Sequence, residues 1–151
     1  VAEAYTINEI SPWERIEYNH TKGYPIILSD RDFVFHAISK FDVKKRQITY
    51  EMRSQPDSSM PERPGIVRGE LNASRYILTE VEPNKKTRLE VEIFADPKGS
   101  VPTWVVNVFQ KSWPQRTLNG IRNQIAKGRA PENATVRDIL NGKITSGFPK
   151  Q

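Results

Sequence analysis

The chain has 151 residues, of which 36% are hydrophobic and 27% charged. That length suits one domain, and that balance excludes both a disordered chain and a membrane-embedded bundle. With no cysteine and only two histidines, disulfides, thiolate chemistry and cysteine- or histidine-rich metal centres are excluded. The net charge of +5 is uneven: residues 1–110 hold 15 Lys/Arg against 16 Asp/Glu, and residues 111–151 hold 8 against 2. No apolar run nears the roughly 18 residues of a membrane span. A soluble chain is expected, cytoplasmic or periplasmic.

In chain order, residues 4–10 and 13–20 read as strands, because Tyr5, Ile7, Ile16 and Tyr18 alternate with polar neighbours. Asp32–Phe41 is a stronger strand. Phe33, Phe35, Ala37 and Phe41 lie on one face and Val34, His36 and Ile38 on the other, so both faces are expected to be covered. Ile48, Tyr50 and Met52 complete a hairpin with it. Gln55–Gly65 holds three prolines and is long for a simple connection. Ile66–Glu82 reads as one long strand with a bend near Gly69 and Asn72–Ser74. Leu89, Val91, Ile93 and Ala95 alternate in a last strand. Residues 29–96 thus predict a meander of antiparallel strands, adjacent in sequence.

The period then changes. Ser100 is a candidate helix cap and Pro102 suits a first turn. Apolar residues at helical spacing run from Val101 to Ile125, with Pro114 expected to kink or split the helix and Gly128 to end it. A short helix over Thr135–Asn141 follows. The organisation predicted is a domain over residues 1–128 and a tail over 129–151.

A sheet and one amphipathic helix make a two-layer α+β domain. Phe33, Phe35 and Ala37 share a strand face. Tyr50 and Met52, Leu71, and Leu89, Val91 and Ile93 give matching faces, and Val105, Val108 and Phe109 come from the helix. These are predicted to converge on one enclosed apolar space that holds a ligand. The helix and the proline-rich loop are the candidate gates, with hinges at Pro97–Pro102 and Pro114. Lys111, Arg116, Arg122 and Lys127 would bring positive charge along the helix to an anionic membrane surface.

Catalytic patterns are missing. No Gly-x-Ser-x-Gly elbow, phosphate-binding glycine loop or dinucleotide fingerprint occurs. His36, on a strand, is read as structural, and His20 as a surface residue. Arg31 and Asp32, with Arg68 and Glu70 on a later strand, are read as an ion-paired latch, the alternative being a headgroup anchor. No metal, cofactor or catalytic residue is assigned. The basic C-terminal third lacks a recognition helix or aromatic platform, so no nucleic-acid partner is expected.

Three segments carry a resemblance: Arg31-Asp32-Phe33-Val34, Met60-Pro61-Glu62-Arg63-Pro64-Gly65-Ile66-Val67-Arg68, and Asp96-Pro97-Lys98-Gly99-Ser100-Val101-Pro102-Thr103-Trp104-Val105-Val106-Asn107. In this order and spacing the chain resembles the START (StAR-related lipid-transfer) domain family from about residue 4 to residue 127. The run at 109–114 is similar to bacterial members. The resemblance implies a helix-grip fold, in which a curved antiparallel sheet wraps a long C-terminal helix around a lipid-sized tunnel. It implies binding, transfer or sensing of an apolar ligand, without a cofactor and without catalysis. The wider helix-grip superfamily also holds polyketide cyclases and aromatases, which is the enzymatic alternative. Members normally have a helix and further strands before the region matching residue 1. The chain is therefore expected to correspond to the C-terminal portion of the domain, either as a fragment or as a member that lacks part of the usual sheet and closes the open edge by dimerisation or strand exchange. Where some sterol-binding members carry a cavity arginine, this chain has Ala37.

Overall fold

The computed structural model describes residues 2–23, 28–83, 85–128 and 132–151, apart from the side chains of Val105 and residues 108–114. The elements are β1 (Glu3–Ser11), β2 (Glu14–Thr21), β3 (Asp30–Asp42), β4 (Gln47–Ser54), β5 (Ile66–Arg68), β6 (Glu70–Leu71), β7 (Ser74–Glu82), β8 (Lys86–Glu92), β9 (Ala95–Asp96), α1 (Thr103–Ala126) and α2 (Ala134–Leu140). The main sheet runs β1-β2-β3-β4-β7-β8 with antiparallel neighbours.

The simple meander is corrected at residues 66–82. β4 stops with Ser54 opposite Phe35, and β5 takes its place along β3, pairing Ile66–Arg68 with Asp30–Asp32 in parallel. A parallel return needs a long crossover, which is what Gln55–Gly65 supplies. The long strand breaks into three pieces. At the first break the Gly69 N–H donates to Asp32 O, and a Cβ on Gly69 would lie 2.4 Å from the Phe33 ring. At the second, Ala73 takes a positive φ of 56°. Between the breaks, β6 leaves the main sheet and pairs with β9.

β3 is the hub. Its period of two sends Val34 to one face, with Ile16 and Tyr18, and Ile7 and Met60 cover that cluster. It sends Phe35 and Ala37 to the other, with Met52, and Phe33, Tyr50, Leu71, Tyr76 and Ile93 pack around them. This is the two-sided covering that the alternation predicts.

The helix is not split at Pro114. α1 is a single helix of 24 residues, and its N-cap is Pro102, without a side-chain cap, rather than Ser100. None of its described side chains is buried: Val106, Leu118 and Ile121 are half-buried, while Trp104 and Ile125 are exposed.

The tail is folded onto the sheet. The Asn133 side chain caps α2 by accepting from the Val136 N–H, and Ile139 has no exposed surface. Arg46 ion-pairs with Glu80 and donates to Leu140 O, tying α2 to the β3–β4 turn. Beyond the end of β2, the tail takes the vacant edge of β3: the Phe41 N–H donates to Pro149 O, and Gln151 N–H to Phe41 O. The Phe41 ring sits between Trp13 and Phe148, with centroids 4.9 and 5.3 Å away. Ile139→Ala is expected to cost about 2–5 kcal/mol, the usual range for emptying a buried aliphatic site. Urea unfolding measures it, and a change under about 0.5 kcal/mol, the range of surface substitutions, would mean that the tail does not fold with the sheet.

Candidate functional site

The Phe35 face of the sheet carries the candidate site. Directly paired residues share a face, so the register reads it row by row. One row is Arg15, Ala37, Met52 and Ser74; the next is Tyr50, Tyr76 and Val91; a third is Phe41, Ile48, Leu78 and Leu89. Seven of the predicted lining residues are thereby brought into one cluster: Phe33, Phe35, Ala37, Tyr50, Met52, Leu71 and Ile93. Leu89 and Val91 lie half-buried on the same face but outside it. The side chains of Val105, Val108 and Phe109 lie outside the described residues.

One side of this face is polar, which the sequence reading missed. Glu17 sits opposite Phe35, and Asn19 opposite Phe33. The Tyr50 hydroxyl donates to Glu17 Oε2 at 2.7 Å, and Arg15 Nε lies 2.7 Å from Glu17 Oε1. The Arg15 guanidinium also stands 5.8 Å from the centre of the Tyr50 ring. Burial first, and then the Glu17 hydrogen bond, push the Tyr50 phenol well above its ordinary range. Asn19 Oδ1 is buried without a hydrogen-bond partner among the described residues. A recess of about 270 Å³ opens here, lined by Ala4, Tyr5, Thr6, Glu17, Tyr18, Asn19 and Phe35. Arg15, Glu17 and Asn19 alternate with Ile16 and Tyr18. In sequence that is the pattern of a solvent-facing side, and Phe35, Phe33 and Tyr50 across the sheet leave Glu17 and Asn19 half-buried while Arg15 stays exposed.

The four latch residues are all engaged, in a way the sequence did not specify. Arg31 and Asp32 are neighbours and therefore point to opposite faces. Asp32 is 1% exposed and accepts from Arg68 Nε at 2.7 Å, Arg68 Nη2 at 3.1 Å and the Tyr18 hydroxyl at 3.3 Å. Arg68 also donates to Met60 O at 3.2 Å. Met60 packs on the Val34 cluster and Arg63 stands over the Tyr18 ring, so the proline-rich loop is pinned to the Val34 face. Hydrogen bonding to Asp32 raises the Arg68 pKa above the ordinary arginine value. Among the described residues Arg31 has no acidic partner. It donates to the carbonyls of Ser29, Pro97 and Lys98, which secures the segment before α1. Gly99 follows at a φ of +66°, close under the Arg31 guanidinium. Burial lowers the Arg31 pKa. Glu70 pairs with Lys98 at 2.9 Å rather than with either arginine.

His36 lies 2.7 Å from Glu14, in agreement with a structural role. His20 is corrected: its side chain is 15% exposed and lies 2.8 Å from Asp30. The Gly23 N–H, and then the His20 contact, lower the Asp30 pKa. A lowered folded-state value stabilises the fold above the ordinary carboxylate range, and the contribution is lost as pH falls through it. Asp30→Asn should therefore flatten the acid limb of the stability–pH profile below about pH 4, and an unchanged limb would refute this. Among the described residues no cluster of three or more potential ligands for a metal ion occurs, and no helix is long and apolar enough to cross a membrane.

Comparison with known proteins places this arrangement. The START domain profile matches residues 1–126. Mouse phosphatidylcholine transfer protein is 30% identical over 103 residues, covering 66% of this chain and 44% of that protein. Among solved structures, human StAR-related lipid transfer protein 5 superposes with a TM-score of 0.75 at 20% identity, covering 85% of this chain and 62% of that one. Human STARD10 superposes with a TM-score of 0.71 at 18% identity, covering 99% and 60%. The chain thus spans less than two thirds of the length of each of these relatives. With its antiparallel sheet laid out as in those structures, and the profile matched from the first strand to the end of α1, the chain belongs to the START domain family.

Proposed function

We propose that this chain binds a lipid-like apolar ligand against the Phe35 face and carries, presents or senses it. The observation that supports this reading best is the apolar cluster around Phe35, Ala37 and Met52 with a polar recess at its side. Such a surface suits a molecule with an acyl body and a polar end. In this reading α1 covers the Phe35 face as the gripped helix. Native mass spectrometry of the purified chain, followed by lipid extraction, tests it. A co-purified lipid of stoichiometric mass is expected, and a chain that neither carries nor takes up lipid from vesicles would overturn it.

The segment before α1 is the mover in this reading, because Arg31 holds it at the Phe35 side while the proline-rich loop is tied to the opposite face. Arg116, Arg122 and Lys127 are exposed along α1 and face an anionic membrane during exchange. Each basic group near such a surface contributes about 1 kcal/mol, and salt screens it. Transfer of a fluorescent lipid is therefore expected to be faster from anionic than from neutral vesicles, with the difference lost at high salt and in an Arg116→Gln, Arg122→Gln, Lys127→Gln variant. Equal rates throughout would reduce the basic residues to a solubilising surface.

The enzymatic alternative draws on one observation, the Glu17–Tyr50 hydrogen bond beside the apolar cluster. A tyrosine pushed further from neutrality is a poorer proton-transfer group at pH 7, which favours carriage over catalysis. Closure of the open β1 edge by a second copy is the weaker partner reading. β1 is interrupted by register shifts at Thr6/Asn8 and Glu9/Ser11, which discourage pairing of an edge.

A further inference from the structure

We infer that β8 is a self-complementary sheet edge, at which two copies of this chain pair antiparallel about a two-fold axis through Leu89. β8 ends the main sheet, and among the described residues β7 is its only strand neighbour. The register with β7 is unbroken from Thr87 to Glu92, so the outer side of β8 offers a regular row of backbone donors and acceptors. The side chains alternate. Thr87, Leu89 and Val91 lie on the Phe35 face, and Lys86, Arg88, Glu90 and Glu92 lie on the other, cations first and acids second. Arg88 and Glu90 are exposed, sit opposite the uncharged Thr79 and Ile77 of β7, and have no ion pair among the described residues.

That order of charges decides both the partner and the register. Residues opposite each other in an antiparallel pair share a face, and the two-fold axis of a symmetric pair makes every contact occur twice. With the axis at Leu89, Lys86 of one copy meets Glu92 of the other and Arg88 meets Glu90. On the Phe35 face Leu89 meets Leu89 and Thr87 meets Val91. Moving the axis by one residue sets Arg88 on Arg88 or Glu90 on Glu90. Moving it by two sets Lys86 on Arg88 or Glu90 on Glu92, and an in-register parallel pair stacks every charge on its own kind. Charges on an edge strand ordinarily keep other strands away; here they repel these alignments and admit one. Lys86 and Glu92 carry their own partners, Glu82 and Arg75, each at 2.6 Å, into the ends of the pair. β1, the opposite edge, has Glu3 and Glu9 and no cation to meet them. The pairing is independent of the lipid-binding reading, and it runs the Phe35 faces of two copies into one continuous sheet.

The test is sedimentation velocity of the full chain over a micromolar concentration series, with circular dichroism to report folding. A reversible dimer is expected. Arg88→Glu and Glu90→Arg each turn two attractive contacts into repulsive ones. Each is expected to raise the dimer dissociation constant about tenfold or more, with an unchanged circular dichroism spectrum. Mixing the two variants, or combining both substitutions in one chain, sets opposite charges against each other again. Both are expected to restore the dimer, which also shows that the variants fold. Sedimentation as a monomer throughout would overturn the pairing and leave the edge to a strand of another polypeptide. A dimer indifferent to both single substitutions, or weakened by them and rescued neither by the mixture nor by the double variant, would overturn this edge and this register.

Discussion

Asp32→Ala is expected to destabilise the chain by about 3–5 kcal/mol, the range for removing one partner of a buried ion pair. Asp32 is 1% exposed and satisfies two donors of Arg68 and the Tyr18 hydroxyl together. Its loss leaves a guanidinium over the Val34 cluster without its hydrogen-bonded carboxylate, with only the weaker attraction of Glu62 remaining among the described residues, and loosens the backbone hold on Met60 that Arg68 provides. The double variant Asp32→Ala, Arg68→Ala should cost less than the two single costs added, because the stranded charge is gone. Chemical denaturation of the four proteins gives the cycle; additive costs would show that the pair is not coupled. Arg31→Ala makes a contrast. It strands three carbonyls instead of a charge, two of them in the segment that leads into α1. Faster lipid exchange is expected along with a loss of stability. If Arg31→Ala melts normally and binds lipid poorly, Arg31 is a headgroup anchor and not a latch.

Met52→Asp is expected to abolish lipid binding and to cost several kcal/mol of stability, because an ionised carboxylate would be desolvated without a partner. Met52 is buried between Ala37 and Ser74 in its row, and Ser74 is already committed to the Phe94 backbone through both its donor and its acceptor. Arg15, the cation of that row, stands beyond Ala37 and is already paired with Glu17. Met52→Leu is the control, a volume-conserving change expected to cost under about 1.5 kcal/mol and to keep binding. Lipid uptake from vesicles and urea midpoints together read the result. Normal uptake by a folded Met52→Asp protein would remove the Phe35 face from the candidate site.

Alternation along β3 was enough to predict a strand covered on both faces, because a period of two is a local property of the backbone. For the same reason Phe33, Phe35 and Ala37 could be assigned one face, with Tyr50 and Met52 beside them, from the hairpin alone. The helix over Thr103–Ala126 was likewise legible in apolar spacing, and the short helix expected over Thr135–Asn141 is α2. The family resemblance rested on segments that the profile match also spans.

Long-range placement was not legible. That Ile66–Arg68 returns parallel to β3 depends on how an eleven-residue loop (Gln55–Gly65) crosses a face, and no local pattern encodes a crossover. Arg31 could be expected to find a partner, but whether that partner was an acid or three carbonyls depended on a segment some 66 residues away. Arg15, Glu17 and Asn19 have the alternation of a wet strand face. The tertiary structure sets Phe35, Phe33 and Tyr50 against them, and burial by residues distant in sequence turns that polar side into the wall of a recess. Local periodicity determined which residues share a face; only the packing of distant strands decided which face is interior and what its polar groups confront.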